Sequence, residues 1–338
     1  MAVRLQNLIY AVSTNKQTNI STAASTFIRL RKLNAVIHTP TYGTETDKDE
    51  IGKGTEFITQ VFPTAYDIGG TIEKYGSAEW VTWAWAYALG NVSYGGGVYT
   101  ILPIDPTVTI ETPYFSLVQQ LSEGGSTAID ELYYGCAVED VTTAFNYGPG
   151  RQSVRTTVTF NGSGNNVSPS GATIPSSPLT EHYMLSQSMT ATINGTDYVG
   201  GKTLLSGTLG WKNNRILAAG FFPGSGTLNN AAIRGRIEIG SRVPTFTFRA
   251  RLLHTSPEYG LLISQNESNT PGTASLVLTY DGTHTVTWTW PQITYQMVER
   301  GEDNGIVTVD VTVAPQYNTA DNAPLTMSAA CGITGIAQ

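Results

Sequence analysis

Strict alternation of apolar and polar positions marks several half-buried strands along this chain. Phe246, Phe248, Ala250 and Leu252 fall on one face while Thr245, Thr247, Arg249 and Arg251 fall on the other, the two-residue period of a strand with one side in a core. Val307, Val309, Val311 and Val313 oppose Thr308, Asp310 and Thr312 in the same way, and His284, Val286, Trp288 and Trp290 oppose Thr285, Thr287 and Thr289. Trp288 and Trp290 are expected to fill a core or a subunit seam in preference to stacking a base or a sugar. One segment departs from this period. From Ser77 to Leu89 the chain offers an N-cap serine, Glu79 in the first turn and Gly90 as a stop, which predicts a helix. Trp80, Trp83, Trp85, Tyr87 and Leu89 make it apolar almost all round, so it needs cover on both sides. Its own sheet is expected to supply one cover and a neighbouring subunit the other.

These elements recur in order, which predicts a duplicated β-rich unit. In the first half a strand pattern from Phe27 to Ile37 leads through a polar loop to a second strand, Glu56 to Phe62, and then to the helix. In the second half the same order runs from Gly207 to Leu217, through a Gly-rich loop, to Arg234–Gly240 and a helix start at Ser256, Pro257, Glu258 and Tyr259. Each unit closes on a turn and an alternating strand: Val154 to Phe160 after Tyr147–Gly150, and Ile306 to Val313 after Asp303–Gly305. The expected class is mainly β, with two tandem β-sandwich or half-barrel units, each flanked by a short α-helix. The first unit is expected over 1–160 and the second over 181–318. Residues 161–180, rich in Gly, Ser, Asn and Pro, read as a linker that cannot bury enough apolar surface to fold. Residues 319–338 are small and weakly patterned and read as a C-terminal arm.

Composition narrows the function more than it defines it. At 338 residues the chain has room for two cores; only 13% of residues are charged, 35 are Gly, and the formal net charge is −7. That balance argues against a phosphate-neutralising nucleic-acid binder, which needs clustered Lys and Arg, and so little charge suggests a surface covered partly by other subunits. The two cysteines, Cys136 and Cys331, imply no disulfide framework. No signal peptide or membrane-length apolar run is read, so the chain is expected to fold in cytoplasm.

Candidate chemistry is sparse. His38, His182, His254 and His284 have no metal-type or nucleophile-supporting spacing. Gly52–Thr55 is too short for a phosphate cradle. The acidic run Glu45, Asp47, Asp49 and Glu50 lacks the alternation and closing Glu of a calcium loop and reads as a solvated loop. No catalytic, cofactor-binding or metal-binding residue is expected.

The run from Ile51 to Gly90, followed by Tyr133-Tyr134-Gly135-Cys136-Ala137-Val138 and the long hairpin to Phe160, resembles the major tail tube proteins of long-tailed bacteriophages. The resemblance is one of pattern and covers most of the chain. It implies a virion protein, assembled in the host cytoplasm, whose inner sheets join those of neighbours into rings that stack as a hollow tube. Single-unit relatives form hexamers, so a duplicated chain implies a trimeric, pseudo-hexameric ring. Double-stranded DNA and a tape measure protein would occupy the lumen without sequence-specific contact, and tail-tip and terminator proteins would close the tube ends. An acidic or neutral wall would let DNA slide.

Two loops in equivalent positions of the repeat, 38–55 and 219–235, are expected to contact the adjacent ring. Glu45, Asp47, Asp49 and Glu50 in the first would complement Phe221, Phe222, Arg234 and the neighbouring Arg236 of the second. Trp80, Trp83, Trp85 and Tyr87 would pack at the subunit seam. The competing expectations are another virion role, as a capsid decoration protein or a tail-fibre or glycan-binding β-sandwich, and last an enzyme with converging carboxylates or histidines.

Overall fold

The computed structural model describes residues 8–18, 20, 24–31, 38–39, 41–46, 61–105, 112–121, 129–147, 152–162, 164–167, 173–200, 203–217, 221–223, 232–234, 237–252 and 271–337. The first half carries β1 (Leu8–Ser13), β2 (Phe27–Leu30), β3 (Thr41–Thr46), β4 (Val61–Tyr75), α1 (Ala78–Leu89), β5 (Gly90–Gly95), β6 (Val98–Pro103), β7 (Phe115–Leu121), β8 (Ile129–Asn146), β9 (Arg155–Gly162) and β10 (Gly164–Val167). The second carries β11 (Met189–Ile193), β12 (Thr196–Asp197), β13 (Leu204–Lys212), β14 (Phe221–Pro223), β15 (Ala232–Arg234), β16 (Val243–Arg251), β17 (Gly272–Thr279), β18 (Thr285–Asp303), β19 (Ile306–Pro315) and β20 (Thr326–Ala330). The fold is mainly β, as the alternation predicts.

Three strands are long enough to serve two sheets each. β4 pairs β3 and β15 along its first part and β9 along Ile68–Tyr75. β8 pairs β7 and β10 before Cys136 and then β9 and β13. β18 pairs β17 and β20 near its start and β19 from Ile293 to Asp303. The result is one antiparallel sheet in the order β4, β9, β8, β13, β16, β19, β18. A second runs β12, β11, β17, β18, β20, β6, β5. Because β8 pairs β13 and β20 pairs β6, strands from the two halves of the chain share both sheets.

The helix lies between these sheets. Ser77 accepts a hydrogen bond from the Trp80 N–H, and Gly90 ends the helix in the left-handed region, at φ 87°, where a side chain would be strained. Every residue of α1 is buried, and it packs on β8, β9 and β13 on one side and on β5, β6, β18 and β20 on the other. The expected covering by a neighbouring subunit is therefore corrected: the second cover comes from the same chain, chiefly β6 of its own half and β18 and β20 of the other. With Trp80, Trp83, Trp85 and Tyr87 each no more than 1% exposed, nothing of these side chains is left for a seam. Trp85 meets Trp288 edge-on at 5.7 Å, and Trp290 stacks on Phe246 at 4.7 Å, so the core is continuous across the halves. Gly207 keeps β13 close to β8, because a Cβ there would lie 2.3 Å from the Phe145 ring.

Two boundary expectations also change. The segment 319–338 is not a free arm: β20 lies between β18 and β6, and Leu325, Met327, Ala329 and Ile336 are buried in the main core. Asn161 and Gly162 end β9 and Gly164–Val167 form β10, so the proposed linker begins inside the sheets, where backbone pairing replaces the missing apolar side chains. The expected second helix start at Ser256–Tyr259 lies outside the described residues, which contain α1 as their single α-helix.

Candidate functional site

The outward face of the seven-stranded sheet is a threonine surface. Cross-strand register lines up Glu73, Thr157, Thr142, Gly210 and Thr245 in one row, and Tyr75, Arg155, Ala144, Thr208, Thr247 and Thr312 in the next. A third row brings together Thr71, Thr159, Asp140, Lys212 and Val243. Thr71, Thr245 and Thr247 are exposed and the other threonines of these rows are half-buried, while the alternate positions, such as Ile72, Val158, Val141, Leu209, Phe246 and Val311, fill the core. Three basic groups on this face have acids beside them. Arg155 meets Glu73 at 3.3 Å, Arg249 meets Asp310 at 3.0 Å, and Lys212 stands opposite Asp140. Such exposed pairs contribute little stability, but they leave a face of mixed sign with no basic stripe for phosphates to hold.

Among the described residues, β9 is the only named strand paired with Ile68–Tyr75 of β4, and β19 the only one paired with 294–303 of β18. A strand edge that no other strand pairs is a template for another chain.

The residues expected to stack rings fall in part in a small sheet apart from these two. β14 pairs β15 with Phe221 opposite Arg234, β15 pairs β4 in parallel at Ala232 and Ala65, and β3 pairs the other side of β4 with Glu45 opposite Phe62. The backbones of Glu45, Phe221, Phe222 and Arg234 are thus brought into one four-stranded sheet. Asp47, Asp49, Glu50 and Arg236 lie outside the described residues.

The helix aromatics are anchored by hydrogen bonds inside the core. Trp80 Nε1 donates to the Thr156 carbonyl at 3.2 Å, Trp83 Nε1 to the Ser13 carbonyl at 2.8 Å, and Trp85 Nε1 to Thr143 Oγ1 at 3.0 Å. The Tyr87 hydroxyl donates to the Thr14 carbonyl at 2.9 Å, and burial pushes its pKa well up. Their role is structural.

At the helix N-terminus is a group that residue spacing did not reveal. The Glu79 side chain is 0% exposed, and its Oε1 lies 2.6 Å from His182 Nδ1. Its Oε2 accepts from the His182 backbone N–H at 3.0 Å. Burial raises the Glu79 pKa, but these hydrogen bonds outweigh it and hold the carboxyl below its usual range. The His182 ring stacks on His284 with centroids 3.6 Å apart, and His284 Nδ1 lies 3.0 Å from both carboxylate oxygens of Asp281. Hydrogen bonds from His284, backbone first, bring the Asp281 pKa down to about 2. Glu79, His182 and His284 are more than 100 residues apart in turn, from α1, the 181–183 segment and the turn just before β18, so no local motif could have exposed them. Beside this group, Lys74 and Glu181 form a buried ion pair at 2.5 Å, with Lys74 also 5.4 Å from the Trp80 ring.

No family model matches the chain, and no curated protein matches it. Among solved structures it is similar to a chain of the anti-feeding prophage baseplate, determined by cryo-EM with 6-fold symmetry, at 13% identity and a TM-score of 0.23, covering 42% of this chain and 94% of that one.

Proposed function

We propose that the protein is a structural component of a virion, and within that class a tail tube subunit whose copies join edge to edge into rings. The observation that carries this reading is the seven-stranded sheet, whose two end strands each have, among the described residues, a named strand of that sheet on one side only. A heterologous contact between the two different edges, repeated by rotation, closes into a ring and removes the free edges that a long strand otherwise exposes. The pattern resemblance in Ile51–Gly90 and in the β8–β9 hairpin points the same way.

A trimeric ring is favoured by an internal likeness in strand order. In the first half β4 is followed across the sheet by the β9–β8 hairpin, and in the second half β16 is followed by the β19–β18 hairpin. Two such units per chain give six per three-chain ring. The threonine face is the lumen wall in this reading: polar, of mixed charge and without a basic stripe, so that double-stranded DNA passes without being held. The tape measure protein would occupy the same channel before DNA, and tip and terminator proteins would meet the end rings. The small sheet of β3, β4, β15 and β14 supplies the ring-to-ring contact.

The test is electron microscopy of the concentrated full-length protein, with end-on averaging. Hollow tubes of three-fold rings with six similar lobes are expected. Discrete particles under all conditions, or binding to preformed capsids, would overturn the tube and favour a decoration role. Replacing Thr142, Thr157 and Thr245 with Lys in assembled phage is expected to slow DNA ejection in single-particle assays, and an unchanged rate would remove the threonine face from the lumen.

A further inference from the structure

We propose that Glu79, His182 and His284 form a binding site for a divalent transition-metal ion, zinc by its donor set, which ties the first-half helix to the second-half hairpin. Each of the three residues offers one ligand atom, and these atoms lie within 4.8 Å of one another. One carboxylate and two imidazoles are a set that suits zinc, with bonds of about 2.0–2.2 Å and water in the fourth position.

Two further observations support the site beyond proximity. The Asp281 carboxylate, at 3.0 Å from His284 Nδ1, is the partner that metal-bound histidines commonly have: it fixes the ring and leaves Nε2 as the ligand atom. The Glu79 carboxylate, wholly buried, holds Oε1 2.6 Å from His182 Nδ1, so an acid oxygen and the imidazoles already face one another. The imidazoles keep about a quarter and a fifth of their side-chain surface exposed, which gives an ion a way in. Binding requires the stacked rings to splay from their 17° interplanar angle, since parallel rings direct their lone pairs side by side and a tetrahedral ion needs them to converge.

The ligands come from α1, from the segment after residue 180 and from the turn between β17 and β18, and such a set does not exist in the unfolded chain. Metal affinity therefore appears as folding stability. The proposal stands independently of the tube reading.

The experiment uses the untagged full-length protein, stripped with a chelator and dialysed against zinc chloride, with magnesium chloride as the control. One zinc per chain and a zinc-dependent rise in the unfolding temperature are expected, with neither effect from magnesium. His284→Ala, at a partly exposed turn, should lose binding, Asp281→Asn should weaken it by about 10-fold or more, and Tyr280→Phe should leave it unchanged. Absence of stoichiometric zinc in the parent protein would overturn the proposal. So would zinc bound equally well by His182→Ala and His284→Ala.

Discussion

At the residue scale, the core depends on polar side chains that serve apolar neighbours. Asn213, 1% exposed, donates to the carbonyls of Ala88 and Val138 at 3.0 Å and accepts from Trp211 Nε1 at 3.0 Å, so it fastens the end of α1 to β8 and β13. Asn213→Ala is expected to cost about 1–3 kcal/mol for the buried groups left unpaired, read as a lower midpoint in denaturant unfolding with unchanged slope. The ion pair of Lys74 and Glu181 gives a sharper test. Lys74→Ala leaves the buried Glu181 carboxylate without its cation, with the Ser77 and Tyr183 hydroxyls still donating to it, and should cost about 3–5 kcal/mol, whereas Lys74→Met with Glu181→Leu should recover most of that loss. A single and a double variant of equal stability would show that the pair is hydrated in solution. The helix aromatics were legible as residues to be covered, because tryptophans at nearly every turn leave no polar face. Asn213 and the histidine cluster were not, because the contacts that join them to other elements, Asn213 to Ala88 and Val138 and His182 to Glu79, span 75 to 125 residues.

At the scale of elements, the period of two found β16, β18 and β19, whose buried and open positions alternate as the sequence does except at the start of β19, where Val307 is exposed and Thr308 buried. It failed at β20, where Thr326, Ser328, Ala329 and Ala330 are too small to give contrast, although the strand is held on both sides by β18 and β6. Deleting 319–338 should therefore expose the core edges of β6 and β18 and give insoluble or non-cooperatively unfolding protein; a soluble variant with an unchanged transition would make the segment dispensable. The covering of α1 was misread for a related reason. Local pattern shows that a helix must be enclosed, not which strands enclose it, and the enclosing β18 and β20 come from more than 200 residues later in the chain.

At the scale of the whole molecule, the open edges are what a ring must use. Val298 and Glu299 are adjacent residues of β18, and in an antiparallel ladder neighbouring backbone N–H groups point to opposite sides. Of Val298→Pro and Glu299→Pro, one removes a donor to β19 and should lower stability. The other removes a donor at the open edge and should leave a folded monomer that no longer forms tubes. If both variants assemble as well as the parent, β18 is not at the seam. Seven strands in alternating directions have a further consequence: the first and the last run the same way. Rotation about a ring axis preserves that sense, so β18 of one copy meeting β4 of the next would make a parallel seam in an otherwise antiparallel wall. If the first unit adds one more strand outside β4, matching the place of β13 beside β16, the count becomes even and the seam antiparallel. The polarity of a single hydrogen-bonded junction would therefore report whether the two halves of the chain contribute equally to the wall.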